Sequence, residues 1–123
     1  MDPVDIQLGE VRERFSGAAF TTSPDGARVL VVPGVSLPQG WNMGSVALRV
    51  AVPIGFPHVK PDCFYADANL RLADGGEPAS SRVQAALGGS YRWFSWHLSA
   101  WDPVRGSLGQ YIHFCERRLK EVR

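Results

Sequence analysis

Apolar residues recur along the chain at two different spacings, and each spacing predicts one kind of element. Near the start, Val4, Leu8 and Val11 lie at helical spacing, which predicts a helix over residues 3–15. Near the end, a second apolar stripe predicts another helix, and its members are Leu108, Tyr111, Ile112, Cys115 and Leu119. Ser107 and Gln110 have the spacing of a capping box, which places the start of this helix beside Ser107.

Alternating apolar positions between the two helices predict β-strands. Residues 46–52 alternate most clearly, so one apolar row should lie on one face of a sheet. Apolar and β-branched residues also fill 18–22 and 27–32, and the intervening Ser23-Pro24-Asp25-Gly26 is rich in tight-turn residues. We therefore expect a hairpin, then a central strand, and then a short strand over residues 63–66.

The later part of the chain has no clear period. Residues 70–89 mix Gly, Ala, Ser, Asp and Pro, which favours a long irregular segment. The segment 91–101 then holds the densest aromatic cluster, made of Tyr91, Trp93, Phe94, Trp96 and Trp101. This order predicts an α+β fold, with an antiparallel four-stranded meander between an N-terminal and a C-terminal helix.

Composition and charge fit one domain over residues 1–123 and exclude several partners. Lys and Arg total 13 against 12 acidic residues, and a net charge of +1 is too small to gather nucleic acid. No apolar run is long enough to span a membrane, and the segment Met1 to Glu10 has no apolar block of a signal peptide. The two cysteines lack zinc-site spacing and fit a reducing compartment. We therefore expect a cytoplasmic protein with no nucleic-acid or membrane partner, no metal and no cofactor.

Several short motifs, taken in order, resemble the ubiquitin-conjugating superfamily. Residues 53–61 are similar to its aromatic-Pro-x-x-Pro-Pro motif, although Lys60 replaces the first proline of the pair. Trp101-Asp102-Pro103 is similar to the Trp-Ser-Pro motif that precedes a helix in that superfamily. The segments that resemble one bacterial branch, prokaryotic family E, are 37–42, 55–57, 61–65, 70–75 and 93–97. This resemblance extends from Phe15 to Leu119 and implies the ubiquitin-conjugating-enzyme-like fold.

The resemblance also implies a place in a bacterial ubiquitin-like protein conjugation pathway linked with antiphage defence. The implied partners are a ubiquitin-like protein, a ThiF-like activating enzyme and a metal-dependent isopeptidase. Two functions stay open, namely an active carrier that passes the ubiquitin-like protein to a target, and a non-catalytic scaffold that binds it or the activating enzyme. The motifs argue against a third function, that of an interaction module unrelated to ubiquitin-like proteins.

The catalytic cysteine of the superfamily is missing from this chain. It would lie shortly before Trp101, yet no cysteine occurs between Asp67 and Trp101, and the His-Pro-Asn motif is also absent. Transfer needs a nucleophile for the acyl group and donors for the oxyanion. Cys63 occupies a scaffold position in relatives and is a nucleophile only if the loop geometry is unusual. Cys115 lies on the apolar stripe of the last helix and is expected to be buried.

Ser95 and His97 form a further candidate pair. Residues two apart on an extended chain face the same side, so the imidazole can take the proton of a hydroxyl that forms an oxyester. The alternative is that His97, amid four aromatic side chains, is a hydrogen-bonded packing residue or contacts a partner. The candidate catalytic residues are therefore Ser95, His97 and Cys63.

Overall fold

The computed structural model describes residues 2–123, which form two helices and a six-stranded antiparallel sheet. The helices are α1 (Pro3–Arg14) and α2 (Leu108–Lys120). The strands are β1 (Ala19–Thr22), β2 (Arg28–Ser36), β3 (Ser45–Val52), β4 (Phe64–Asp67), β5 (Ser81–Ala86) and β6 (Gly89–Phe94). The α+β class, both helices and the β1–β2 hairpin are confirmed.

The predicted four-stranded meander is wrong, because two further strands lie in and beyond the segment that was expected to be irregular. The sheet order is β1-β2-β3-β4-β6-β5, so β6 pairs with β4 and leaves β5 at the edge. Leu87 and Gly88 join β5 to β6 with φ values of 55° and 81°. Positive φ at both central residues is typical of a type I′ hairpin turn, which usually carries Asn and Gly. Leu87 gives no such signal, and β5 is too exposed to show an alternating apolar pattern.

Each helix begins at a side-chain cap. The carboxylate of Asp2 accepts a hydrogen bond from the Val4 N–H at 2.9 Å. The hydroxyl of Ser107 accepts one from the Gln110 N–H at 3.1 Å, which confirms the predicted start of α2. The side chain of Gln7 in α1 also accepts from the first N–H of α2 at 2.7 Å. These bonds satisfy backbone donors that no helix can satisfy internally, and they tie the two helices together.

The hydrophobic core lies between the two helices and the inner face of the sheet. The sheet contributes side chains with 0% exposure, including Leu30, Val32, Leu48, Val50, Phe64 and Phe94. The helices contribute the predicted stripes, including Leu8, Val11, Ile112, Cys115 and Leu119. Packing against the core therefore fixes the positions of β4 and β6, and these are the strands that lead to the candidate site.

Candidate functional site

The start of β4 and the end of β6 meet at one edge of the sheet. Phe64 and Phe94 are register partners, and their rings stack with centroids 4.9 Å apart. Because the two strands are antiparallel, the residues just before Phe64 and just after Phe94 leave the sheet side by side. Asp62 and Cys63 are thereby brought close to Ser95, although they are far from it in sequence.

His97 contacts Ser95 through one ring nitrogen and Asp62 through the other. We call these three residues the serine–histidine–aspartate group. The Oγ atom of Ser95 lies 3.4 Å from Nε2 of His97. The other ring nitrogen, Nδ1, lies 3.1 Å from the backbone oxygen of Asp62 and 3.4 Å from its Oδ1. Both of these oxygens are acceptors, so Nδ1 carries the hydrogen of the neutral ring. Nε2 then presents its lone pair to the serine hydroxyl, as a general base must.

Asp62 was missed by reasoning from the sequence. The sequence marked it only by its place ahead of the short strand predicted over residues 63–66 and by the family-like segment 61–65, and neither points to a contact with His97. The contact with His97 depends on the pairing of β4 with β6, which brings the residues next to Phe64 and Phe94 together. No periodicity in the sequence fixes that pairing.

The serine–histidine–aspartate group is open to solvent. The side chains of His97 and Asp62 are 58% and 88% exposed, and Ser95 is half-buried. The backbone N–H of Ser95 donates to the carbonyl oxygen of Ser80 at 2.9 Å. This bond holds the serine in place, and it also means that the serine's own N–H is not free to stabilise an oxyanion.

Two side chains fasten the segment that carries His97 to the loop that carries Asp62. The Lys60 ammonium donates to the carbonyl oxygen of Leu98. The indole N–H of Trp101 donates to the carbonyl oxygen of Pro57 at 2.7 Å. Lys60, which departs from the superfamily motif, and Trp101, which follows it, therefore hold the two halves of the site together.

Cys63 lies beside Ser95 but is poorly suited to act as the nucleophile. Burial raises the pKa of its thiol, and the charge of Asp62 raises it slightly further, against the lowering effect of hydrogen bonds with Trp93 and Tyr65. A thiol with a raised pKa holds less of the reactive thiolate at neutral pH. Cys115 is fully buried, as expected, and burial also raises the pKa of its thiol.

Two grooves lie beside the site. One, of about 730 Å³, is lined among others by Phe56, Val59, Pro61, Asp62, Cys63 and Tyr65. The other, of about 610 Å³, is lined among others by Trp96, His97, Leu98, Phe114, Arg117 and Lys120. Asp62 therefore borders the first groove and His97 borders the second, so two members of the serine–histidine–aspartate group can be reached from a groove.

Two features are absent from residues 2–123, namely a metal-binding cluster of side chains and a membrane-spanning helix. No group of three or more His, Cys, Asp or Glu side chains in this range is placed to hold a metal ion. Neither helix in this range is long and apolar enough to span a bilayer.

Comparison with protein families places the chain. The model of prokaryotic E2 family E matches residues 12–122, a range that contains every strand, α2 and all three members of the serine–histidine–aspartate group. No curated protein and no solved structure gave a significant match. The match contains the stretch from Phe15 to Leu119 on which the sequence motifs resemble that family. The chain therefore belongs to prokaryotic E2 family E, which gives it a ubiquitin-conjugation-like role.

Proposed function

We propose that this chain is a carrier in a bacterial ubiquitin-like protein conjugation pathway and that it accepts the ubiquitin-like protein as an ester on Ser95. The supporting observation is the 3.4 Å approach of His97 Nε2 to the Ser95 hydroxyl, with Nδ1 held by Asp62. A free serine is a weak nucleophile, and an adjacent base held by a third group is the usual means of activating it.

The loading step begins with a thioester between the ubiquitin-like protein and a ThiF-like activating enzyme. Ser95 Oγ attacks the carbonyl carbon, and its proton passes to Nε2 of His97. The carbon–sulfur bond then breaks, and the leaving thiolate takes the proton from His97. The carboxylate of Asp62 stabilises the imidazolium that exists between these two transfers.

The pathway around this step is part of the same proposal. The carrier works in the cytoplasm and passes the ubiquitin-like protein to an amine of a target, as a part of antiphage defence. A metal-dependent isopeptidase removes the ubiquitin-like protein again. Family membership supports this setting, since the family has a ubiquitin-conjugation-like role.

A second candidate function is that of a non-catalytic scaffold, which binds the ubiquitin-like protein or the activating enzyme without a covalent step. Two observations favour it. The chain has no cysteine between Asp67 and Trp101, and the backbone N–H of Ser95 is occupied by Ser80. Under this function the exposed His97 and the groove beside it contact a partner.

Reconstitution separates the two functions. The full chain is incubated with the ubiquitin-like protein, the ThiF-like enzyme and ATP, and its intact mass is measured. The carrier function predicts an adduct on the wild type and on Ser99→Ala, but none on Ser95→Ala. Ser99 is a matched control, because it is an exposed serine of the same segment. Binding of the ubiquitin-like protein without any adduct, while the activating enzyme is itself charged, would support the scaffold.

A further inference from the structure

We infer that the serine–histidine–aspartate group also hydrolyses small aryl esters of short acyl groups, with Ser95 as the transient acyl acceptor. This activity needs the contact of Ser95 with His97 but needs no ubiquitin-like protein or activating enzyme. It therefore goes beyond the proposed function and can hold if the carrier function fails.

The inference starts from the openness of the site. His97 is 58% exposed, and the aspartate that holds its Nδ1 is 88% exposed. Water can thus reach the imidazole of His97. A base that activates the hydroxyl of Ser95 can next activate a water molecule against the acyl group on that hydroxyl, because both steps require one proton at Nε2.

The second groove suggests which esters fit. Trp96, Leu98 and Phe114 supply an aromatic and aliphatic lining beside His97. The rings of Trp96 and Phe114 stack on each other with centroids 5.7 Å apart, so this part of the groove is lined by aromatic side chains. Arg117 lies on the same groove and favours the negative charge of a departing phenolate. An ester with a flat aryl leaving group and a small acyl group meets these features.

Each step of the reaction conserves atoms and charge. In acylation, the bond from Ser95 Oγ to the carbonyl carbon forms, the proton moves to His97 Nε2, and the aryl oxide leaves with that proton. In deacylation, water attacks the same carbon and gives a proton to Nε2. The bond to Ser95 Oγ then breaks, the serine regains a proton from His97, and the carboxylic acid departs.

The rate should be modest, because the backbone N–H of Ser95 is held by Ser80 and does not point to the oxyanion. General-base assistance is typically worth about 10²–10⁴-fold. We therefore expect His97→Ala to lower kcat/KM for the ester by about 10²-fold or more. Ser95→Ala should remove the acyl intermediate altogether.

The test uses p-nitrophenyl acetate and the full chain in the Cys63→Ala background, so that the thiol cannot react. The expected result is release of p-nitrophenolate together with an acetyl mass on Ser95. Ser90→Ala and His113→Ala should behave like the parent, because both residues are exposed and line neither groove. Circular dichroism and thermal melting confirm that every variant is folded.

The outcomes are separate from those of the carrier experiment. Release by the parent no faster than by folded Ser95→Ala, or acetyl found only on lysines, would overturn the hydrolase inference. Ester hydrolysis at Ser95 without any adduct of the ubiquitin-like protein would support the inference and count against the carrier. A stable adduct of the ubiquitin-like protein with no hydrolysis of the small ester would support the carrier function and count against the hydrolase inference.

Discussion

Trp101 donates its indole N–H to the carbonyl oxygen of Pro57 at 2.7 Å, across the gap between the two chain segments that build the site. Its ring also packs on Phe56, with centroids 5.8 Å apart. Gly106 passes so close to this ring that an added Cβ would lie 2.2 Å from it. The hydrogen bond and the ring packing of Trp101 thus join the segment that carries His97 to the loop that carries Asp62.

Replacing Trp101 should lower the free energy of unfolding. Trp101→Phe keeps an aromatic ring but removes the hydrogen bond to Pro57 and some packing, so we expect a loss of about 1–3 kcal/mol in the free energy of unfolding. Urea denaturation measures this loss. Unchanged stability would show that the bond between Trp101 and Pro57 does not hold the two segments together.

Asp62→Ala should reduce, rather than abolish, the activity of the serine. The variant loses the carboxylate but keeps the backbone oxygen that accepts from His97 Nδ1 at 3.1 Å. Loss of a hydrogen bond to a charged group corresponds to about a ten-fold to hundred-fold lower rate. The rate of Ser95 acylation by p-nitrophenyl acetate measures it, with Asp5→Ala, an exposed aspartate of α1, as control. A loss as large as that of His97→Ala would mean that the backbone contact contributes nothing.

Cys63 should react slowly with iodoacetamide. Burial raises the pKa of its thiol, so less thiolate is present at pH 8 than for a free cysteine. Cys115 is fully buried and should react only after unfolding. The rate of carbamidomethylation, followed by mass spectrometry against glutathione, checks both statements. If Cys63 reacted faster than glutathione, it would again be a candidate for the catalytic nucleophile.

A buried arginine makes stability depend on pH in the acid range. The guanidinium of Arg92 has 0% exposure and lies 2.5 Å from a carboxylate oxygen of Glu77. This hydrogen bond, helped by the charges of Arg92 and Arg71, lowers the pKa of Glu77 below its ordinary value of 4.5. The carboxylate therefore stabilises the fold above about pH 4.5, and that contribution is lost as the pH falls through the lowered pKa.

Glu77→Gln should accordingly lower the Tm at pH 7, and the difference from wild type should shrink below pH 4.5. Glu13→Gln, at an exposed position of α1, is the control and should follow the wild type. Thermal melting across this pH range tests the pair. A difference in Tm that stays constant down to pH 3 would rule out the ionised Glu77 as its source.

The β5–β6 turn offers a stabilising substitution. Leu87 has a φ of 55°, a region that favours Asn or Gly over a leucine side chain. We expect Leu87→Asn to raise the free energy of unfolding by about 1 kcal/mol and Leu87→Val to lower it. Urea denaturation measures both, and a stabilising valine would show that the turn is not strained.

Those elements whose burial is periodic were predictable from the sequence. Apolar residues recur at a spacing of 3.6 in both helices and of 2 in the first hairpin and β3, because each of these elements buries one face. β5 is an exposed edge strand, so its apolar residues show no such spacing. The turn after it has Leu87 where Asn or Gly would have indicated a turn. Ser95 and His97 were found through their local spacing. Asp62 was not, because its contact with His97 depends on how β4 pairs with β6, and only the folded sheet sets that pairing.

The central claim, that Ser95 carries the ubiquitin-like protein, is tested most directly by changing the bond that it forms. Ser95→Cys replaces the hydroxyl by a thiol, so an adduct on this residue should change from an oxyester to a thioester. With the activating enzyme and ATP, we predict a wild-type adduct that survives dithiothreitol, a Ser95→Cys adduct that dithiothreitol removes, and none on Ser95→Ala. An adduct with the same resistance to thiol on all three proteins would contradict the assignment of Ser95.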